Sequence, residues 1–286
     1  MIPITTIIAC VVTLLISLVL PLTVLLVFAL KNKKQGIISA WILGACGFVF
    51  PQLLIRLPLL TLLQGQSWFI SFAQNKVFLY AFSLAFTAGL FELAGRYAVA
   101  KNMANSLSRK SISLAVENKL TWKRSLAAGL GHGGIEAILL VGMTYVNNLI
   151  YIVMINTGSF DSLIAQTAAL GVDVSQLELI RTQLLGTAPA MFLLAGFERI
   201  LAMTAHLAMS ALVCYGVAHK RTGICLLLCL ALHTLLDLSA GISLVLPQSL
   251  AYPIIYAILI IMAAVSVLIL KKLHRLWKAS SADCEI

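Results

Sequence analysis

Residues 129–140 read GLGHGGIEAILL. His132 and Glu136 stand four apart, Gly129, Gly131, Gly133 and Gly134 crowd the histidine, and apolar sequence continues to about residue 155. An i,i+4 spacing puts two side chains on one helix face. The apolar run exceeds the ~20 residues a helix needs to cross a hydrocarbon core. The stretch is therefore a membrane-spanning helix with a polar face inside it, and the rest of the chain has to explain that face.

Composition agrees. Of 286 residues, 61% are hydrophobic and 10% charged, with a mean hydropathy of +1.02. Soluble domains carry about a quarter charged residues. The net charge of +10 does not signal nucleic acid, because the basic residues lie in short clusters between apolar runs. Five cysteines (Cys10, Cys46, Cys214, Cys225, Cys229) fall inside apolar runs and Cys284 in the tail; no CxxC occurs, so they serve as small packing residues. The N-terminal apolar run has no basic region before it and is too long for a signal-peptide core, so it is expected to remain as a helix.

Seven candidate spans follow: about 3–30, 37–63, 77–100, 125–155, 186–218, 223–246 and 252–270. The loops alternate in charge. Lys31, Lys33, Lys34, Lys101, Arg109, Lys110, Lys119, Lys123, Arg124, Lys220, Arg221, Lys271, Lys272, Arg275 and Lys278 fall on one side, against Lys76 and Arg181 on the other. The positive-inside rule makes the first side cytoplasmic. The expected fold is an all-α polytopic membrane helix bundle of about seven transmembrane helices, with the N-terminus outside and the C-terminus cytoplasmic. Residues 1–286 form one integral membrane domain; 75–245 hold a four-helix core with the polar motifs, and 1–74 and 246–286 are flanking helices and tail. In the long outer loop, about 156–185, SQLE at 175–178 fits a capping box and predicts one short amphipathic helix.

Ten ionisable residues lie inside the spans: Glu92, Glu136, Glu198, Asp237, His132, His206, His233, Arg56, Arg96 and Arg199. Insertion scales charge roughly 2.5–3.5 kcal/mol for each Asp, Lys or Arg at a helix centre, so such groups face one another or a watery cavity. Glu92/Arg96, His132/Glu136 and His233/Asp237 are i,i+4 pairs, and Arg199 and His206, seven apart, share nearly one face. Most of these lie roughly 10–20 Å from the cytoplasmic side at 1.5 Å per residue, with Glu198 deeper. Any one pair could be structural, each member satisfying the other. Arg56 is expected to snorkel or to pair with a carboxylate, and the Gly129/Gly133 GxxxG to give close helix packing. Four helices with acids and imidazoles at one level point instead to one site.

Such a site has three uses: general acid–base hydrolysis of a peptide bond, ligation of a metal such as zinc, or proton or cation relay in a transporter. FELAGRY (91–97), GHGGIEA (131–137), ERILAMTAH (198–206) and HTLLD (233–237) resemble the motif series of the YhfC family of membrane peptidases. That family is similar to the type II CAAX prenyl endopeptidases and the bacteriocin-processing intramembrane proteases. The resemblance covers about 75–245 and implies an intramembrane endopeptidase acting on a peptide or membrane-protein substrate, in the bacterial plasma membrane. The wider superfamily's ExxxR matches Glu92 and Arg96, implying a water-activating glutamate and a supporting arginine. Its HxxxN/D matches His233 and Asp237. Its FxxxH has two candidates, His132 and His206, each with Ala (Ala128, Ala202) where Phe would stand, and Phe91 replaces the first of the usual two glutamates. The general base is open between Glu92 and Glu136. Catalytic candidates are therefore Glu92, Arg96, His132, Glu136, Glu198, Arg199, His206, His233 and Asp237; His132, His206 and His233 are candidate ligands if zinc is used. A proton-coupled transporter and an inactive helix-binding scaffold are the competing readings; no inverted repeat or pair of matching broken helices favours the former.

Overall fold

The structure is a computed structural model that describes residues 1–105 and 120–282. Arg109, Lys110, Lys119 and Cys284 lie outside the described residues. Among the described residues, seven helices are long and apolar enough to cross a membrane: α1 Ile4–Lys31, α2 Ile37–Gln64, α4 Val77–Asn105, α5 Trp122–Thr157, α8 Pro189–Ala218, α9 Thr222–Leu244 and α10 Gln248–Ser280. Three shorter helices join them: α3 Ser67–Asn75, α6 Ser159–Ala169 and α7 Ser175–Gly186. Helices suit this medium because they satisfy every backbone group internally. The spans run from 23 to 36 residues, beyond the ~20 the hydrocarbon requires, which leaves length for tilt or for projection past the lipid. The expected seven spans and the all-α bundle are found, and the chain is an integral, multi-pass membrane protein.

By its contacts the chain forms two compact units. The first comprises Met1–Leu22 and Ala137–Ile200. Its core packs Ala9 and Cys10 of α1 with Tyr145 and Ile152 of α5, Leu184 of α7 and Phe192 of α8. The Phe192 carbonyl accepts from Thr13 Oγ1 at 2.7 Å and from Tyr145 Oη at 3.0 Å. Asn156 clasps both backbone groups of Ile2, accepting from its N–H at 2.6 Å and donating to its carbonyl at 3.3 Å. The connection between α5 and α8 holds two helices, α6 and α7, where one was expected, joined by an Arg181–Asp161 ion pair at 2.6 Å. The capping box also fails. Ser175 donates through its backbone N–H and its hydroxyl to the Asp173 carboxylate, at 2.9 and 2.7 Å. These bonds hold the Asp173 carboxyl below its usual range. An aspartate two residues earlier thus takes the capping role assigned to the serine.

The second unit comprises Thr23–Glu136 and Leu201–Ile286. Here α2 is the element against which α4 and α5 are set. A Cβ at Gly131 of α5 would collide with the Trp41 carbonyl of α2, one at Gly44 of α2 with the Ala128 carbonyl, and one at Gly95 of α4 with the Gly47 carbonyl. On its other face α5 meets α8, where a Cβ at Gly129 or Gly133 would lie 2.9 Å from Leu207 Cα or His206 Cβ. The close packing expected of Gly129 and Gly133 is present. The helix does not unwind at its glycines; it widens one turn later, into a π-helical stretch at Ala137–Gly142. Arg56 neither snorkels nor pairs with a carboxylate at ion-pair distance. It is buried and donates to the Leu84 carbonyl at 2.6 Å and to Thr87 Oγ1 at 3.2 and 3.3 Å, both on α4. Cys10, Cys214, Cys225 and Cys229 are buried free thiols, as packing residues should be; Cys46 is exposed.

Candidate active site

Four helices of the second unit each supply part of one buried cluster: Glu92 and Arg96 from α4, His132 and Glu136 from α5, His206 from α8, and His233 and Asp237 from α9. The glycines bring these helices close enough for side chains to meet. Gly133 packs on His206 itself, and at Gly89 a Cβ would stand 3.4 Å from His233 Cδ2. Glu92, Arg96, His132, His206 and His233 are each at most 3% exposed. The fully buried Phe48 of α2 sets its ring edge against His132, centroids 5.4 Å apart at 74°.

Arg96 is the hub. Its Nη2 lies 3.2 Å from Glu92 Oε2 and 2.6 Å from His206 Nδ1, and its Nη1 lies 3.4 Å from His233 Nδ1. A guanidinium only donates, so both Nδ1 atoms accept. The neutral imidazoles must then carry their protons on Nε2. Those atoms face carboxylates: His206 Nε2 lies 2.8 Å from Glu136 Oε2, and His233 Nε2 lies 3.2 Å from Asp237 Oδ2. His132 Nε2 lies 2.9 Å from Glu92 Oε2 and gives that carboxylate a second donor. The i,i+4 pair Glu92/Arg96 is thus a direct ion pair and His233/Asp237 a direct hydrogen bond, whereas His132 and Glu136 reach different partners.

The remaining two candidates are Glu198 and Arg199 of α8. Both fall in the first unit and form an ion pair with each other. Arg199 and His206 do share a helix face, but seven residues of rise, about 10 Å, separate them along the axis.

Glu92, His206 and His233 offer donor atoms that all lie within 4.8 Å of one another. The Glu92 Oε2 separations are 3.9 Å to His206 Nδ1 and 3.7 Å to His233 Nδ1. A tetrahedral zinc with bonds of about 2.0–2.1 Å spaces its ligands about 3.3–3.4 Å apart. Two imidazoles and one carboxylate are also a catalytic zinc set, and a carboxylate hydrogen-bonded behind an imidazole, as Asp237 is behind His233, is the usual support of such a ligand. The donor chemistry therefore fits a metal, with Glu92 rather than His132 beside His206 and His233. The Arg96 guanidinium touches the same three groups and competes for them.

Sequence reasoning passed over α2. Its signals were present: GACG at 44–47, whose small residues admit α4 and α5, and Gln52, an amide in an apolar run.

A family model described as the YhfC intramembrane metalloprotease matches residues 15–262. An uncharacterized membrane protein, YhfC of Bacillus subtilis (strain 168), is 32% identical over 227 residues, covering 79% of this chain and 80% of the relative. No solved structure matches. With the motif helices and their flanking spans inside the matched region, the chain belongs to the YhfC intramembrane metalloprotease family.

Proposed function

We propose that this protein is an intramembrane endopeptidase that hydrolyses peptide bonds of membrane-associated substrates. The observation that carries the reading is the convergence of seven acid, base and cationic side chains from four membrane-spanning helices on one buried point. Glu92 already balances Arg96 and accepts from His132, which makes it a holding group and a poor base. Glu136 is the more open carboxylate, its side chain 12% exposed against 4% for Glu92. In this reading Glu136 takes a proton from the attacking water, whose oxygen bonds to the carbonyl carbon. As the C–N bond breaks, Glu136 returns that proton to the nitrogen. His206 holds Glu136 in place, and Asp237 holds His233 in the tautomer that leaves Nδ1 facing inward. Glu92, His206 and His233 would hold a zinc ion. When bound there it supplies Lewis-acid polarisation of the carbonyl and acidifies water. We place the basic helix ends in the cytoplasm and the approach to the cluster from that side.

The test compares cells expressing wild type with cells expressing Glu136→Gln, at matched membrane levels, by mass spectrometry of protein N-termini. New termini within or beside apolar segments, present with wild type and absent with Glu136→Gln, are expected. Identical terminus profiles would overturn the reading.

A further inference from the structure

Among the buried polar atoms of the second unit that have no hydrogen-bond partner among the described residues are Gln52 Oε1 and Thr234 Oγ1, on the two helices that flank α4. Each residue is 8% exposed. The threonine is unusual within its own chain. Thr61, Thr87, Thr144, Thr157, Thr167 and Thr182 all donate to the carbonyl four residues back. Thr234 leaves that bond unmade, and its hydroxyl sits 3.3 Å from where a Gly89 Cβ would be, next to His233. Leaving a buried donor or acceptor unmet is costly, and a Val or Leu in either position would avoid the cost.

Both lie at the level of the site. Gly89 is three residues before Glu92 on α4 and faces α9; Gly95 is three after it and faces α2, meeting Gly47 and the Pro51 ring. At about 100° per residue, Glu92 points some 60° from each, between the two neighbours. Gln52 follows Pro51 directly. Arg56, one turn on, is bonded to Leu84 and Thr87, so α2 is pinned on α4 with Gln52 between the Gly95 and Thr87 levels. On α4, Glu92 thus points between α9, which carries the Thr234 hydroxyl, and α2, which carries the Gln52 carboxamide. A carboxamide both donates and accepts, as a hydroxyl does. That matches the paired N–H and C=O of an extended main chain, which finds no water in hydrocarbon to satisfy it.

We propose that Gln52 and Thr234 bind the main chain of an extended peptide beside Glu92, positioning it rather than reacting with it; the proposal rests on the peptidase reading for the identity of the ligand. The test measures binding of acetyl-tetraleucine amide, and of the same peptide with its amide nitrogens methylated, to detergent-purified protein by thermophoresis. Wild type is expected to prefer the unmethylated peptide about tenfold. The near-isosteric Gln52→Met, Thr234→Val double variant should retain less than about twofold preference. Neither single variant should melt below wild type, since each removes an unmet group rather than a bond. Equal affinities in wild type, no binding at all, an unchanged preference in the double variant, or a lowered melting temperature in both single variants would each overturn the proposal. Cleavage dependent on Glu136 without any methylation preference would defeat only the main-chain clamp. A methylation preference lost in the double variant, without any cleavage, would support it and defeat the peptidase reading.

Discussion

Replacing Arg96 by Met keeps an unbranched stem, shortens the side chain and removes its charge. Glu92 then keeps His132 as its direct donor, while the Nδ1 atoms of His206 and His233 lose the guanidinium they accept from. Removing one partner of a buried ion pair costs about 3–5 kcal/mol, because the other charge stays buried. At about 2–4 °C per kcal/mol for a chain of this size, the melting temperature of the metal-free variant should fall by about 6–20 °C. Zinc should restore part of this. At a hundredfold excess over its dissociation constant a bound ion contributes about 2.7 kcal/mol, or about 5–11 °C. In wild type the same ion must first displace Arg96 and forfeit its contacts, and 3–5 kcal/mol corresponds to about two to three and a half decades in affinity. Arg96→Met is therefore expected to bind zinc at least about a hundredfold more tightly than wild type. Melting with and without zinc, paired with metal content by mass spectrometry, reads both effects. Equal zinc stabilisation of the two proteins, or metal bound by wild type and lost from Arg96→Met, would refute the competition between guanidinium and ion.

Other outcomes follow from the packing. Gly131→Ala drives a methyl into the Trp41 carbonyl, which cannot swing aside as a side chain would, and should cost about 3 kcal/mol, the upper end of overpacking penalties. Gly223→Ala, with nothing within 4 Å of the added Cβ, should be neutral or stabilising by a few tenths of a kcal/mol; thermal melting of the pair separates contact from composition. In the first unit, Thr13→Val and Tyr145→Phe each remove one of two donors to the Phe192 carbonyl. Each alone should cost about 0.6 kcal/mol, the average for hydrogen bonds between membrane helices, and the double variant more than the sum. Strict additivity in a melting cycle would show that the two donors act independently.

The spans were legible because hydropathy is summed over some twenty residues and no single position decides it. The cluster was legible for the opposite reason: ionisable residues in oil are so few that each needs an account, and Glu92, Arg96, His132, Glu136, His206, His233 and Asp237 give one another that account. The helical period puts Arg199 and His206 on nearly one face but cannot say which partner each side chain reaches. It also hides a neighbour pair: Glu198 and Arg199, adjacent in sequence, meet each other although the period places them on different faces. The role of α2 stayed hidden because it is carried by absent side chains, Gly44 and Gly47, and by neutral ones, Phe48 and Gln52, which carry no charge to flag them. In the connection between α5 and α8, Ser175 and Asp173 both suit a helix start, and only the backbone path decides which carboxylate or hydroxyl reaches the N–H.

The arrangement of the imidazoles bears on why Arg96 sits where it does. Donors around a site fix tautomers before any substrate arrives. With Arg96 donating to both Nδ1 atoms, His206 and His233 keep their protons on Nε2, toward Glu136 and Asp237. An ion ligated through those Nδ1 atoms demands that same tautomer. An ion bound through the Nδ1 atoms would leave the His233–Asp237 and Glu92–His132 hydrogen bonds, and the 2.8 Å approach of His206 Nε2 to Glu136, in place. Reorganisation is confined to one side chain on a helix whose backbone is locked by the Gly95–Gly47 approach. A scaffold that only gathered helices would have no use for this equivalence, since any satisfied polar pair would serve. The equivalence suits a cation-binding site in hydrocarbon, where an unbalanced carboxylate is too costly to keep waiting for its cation.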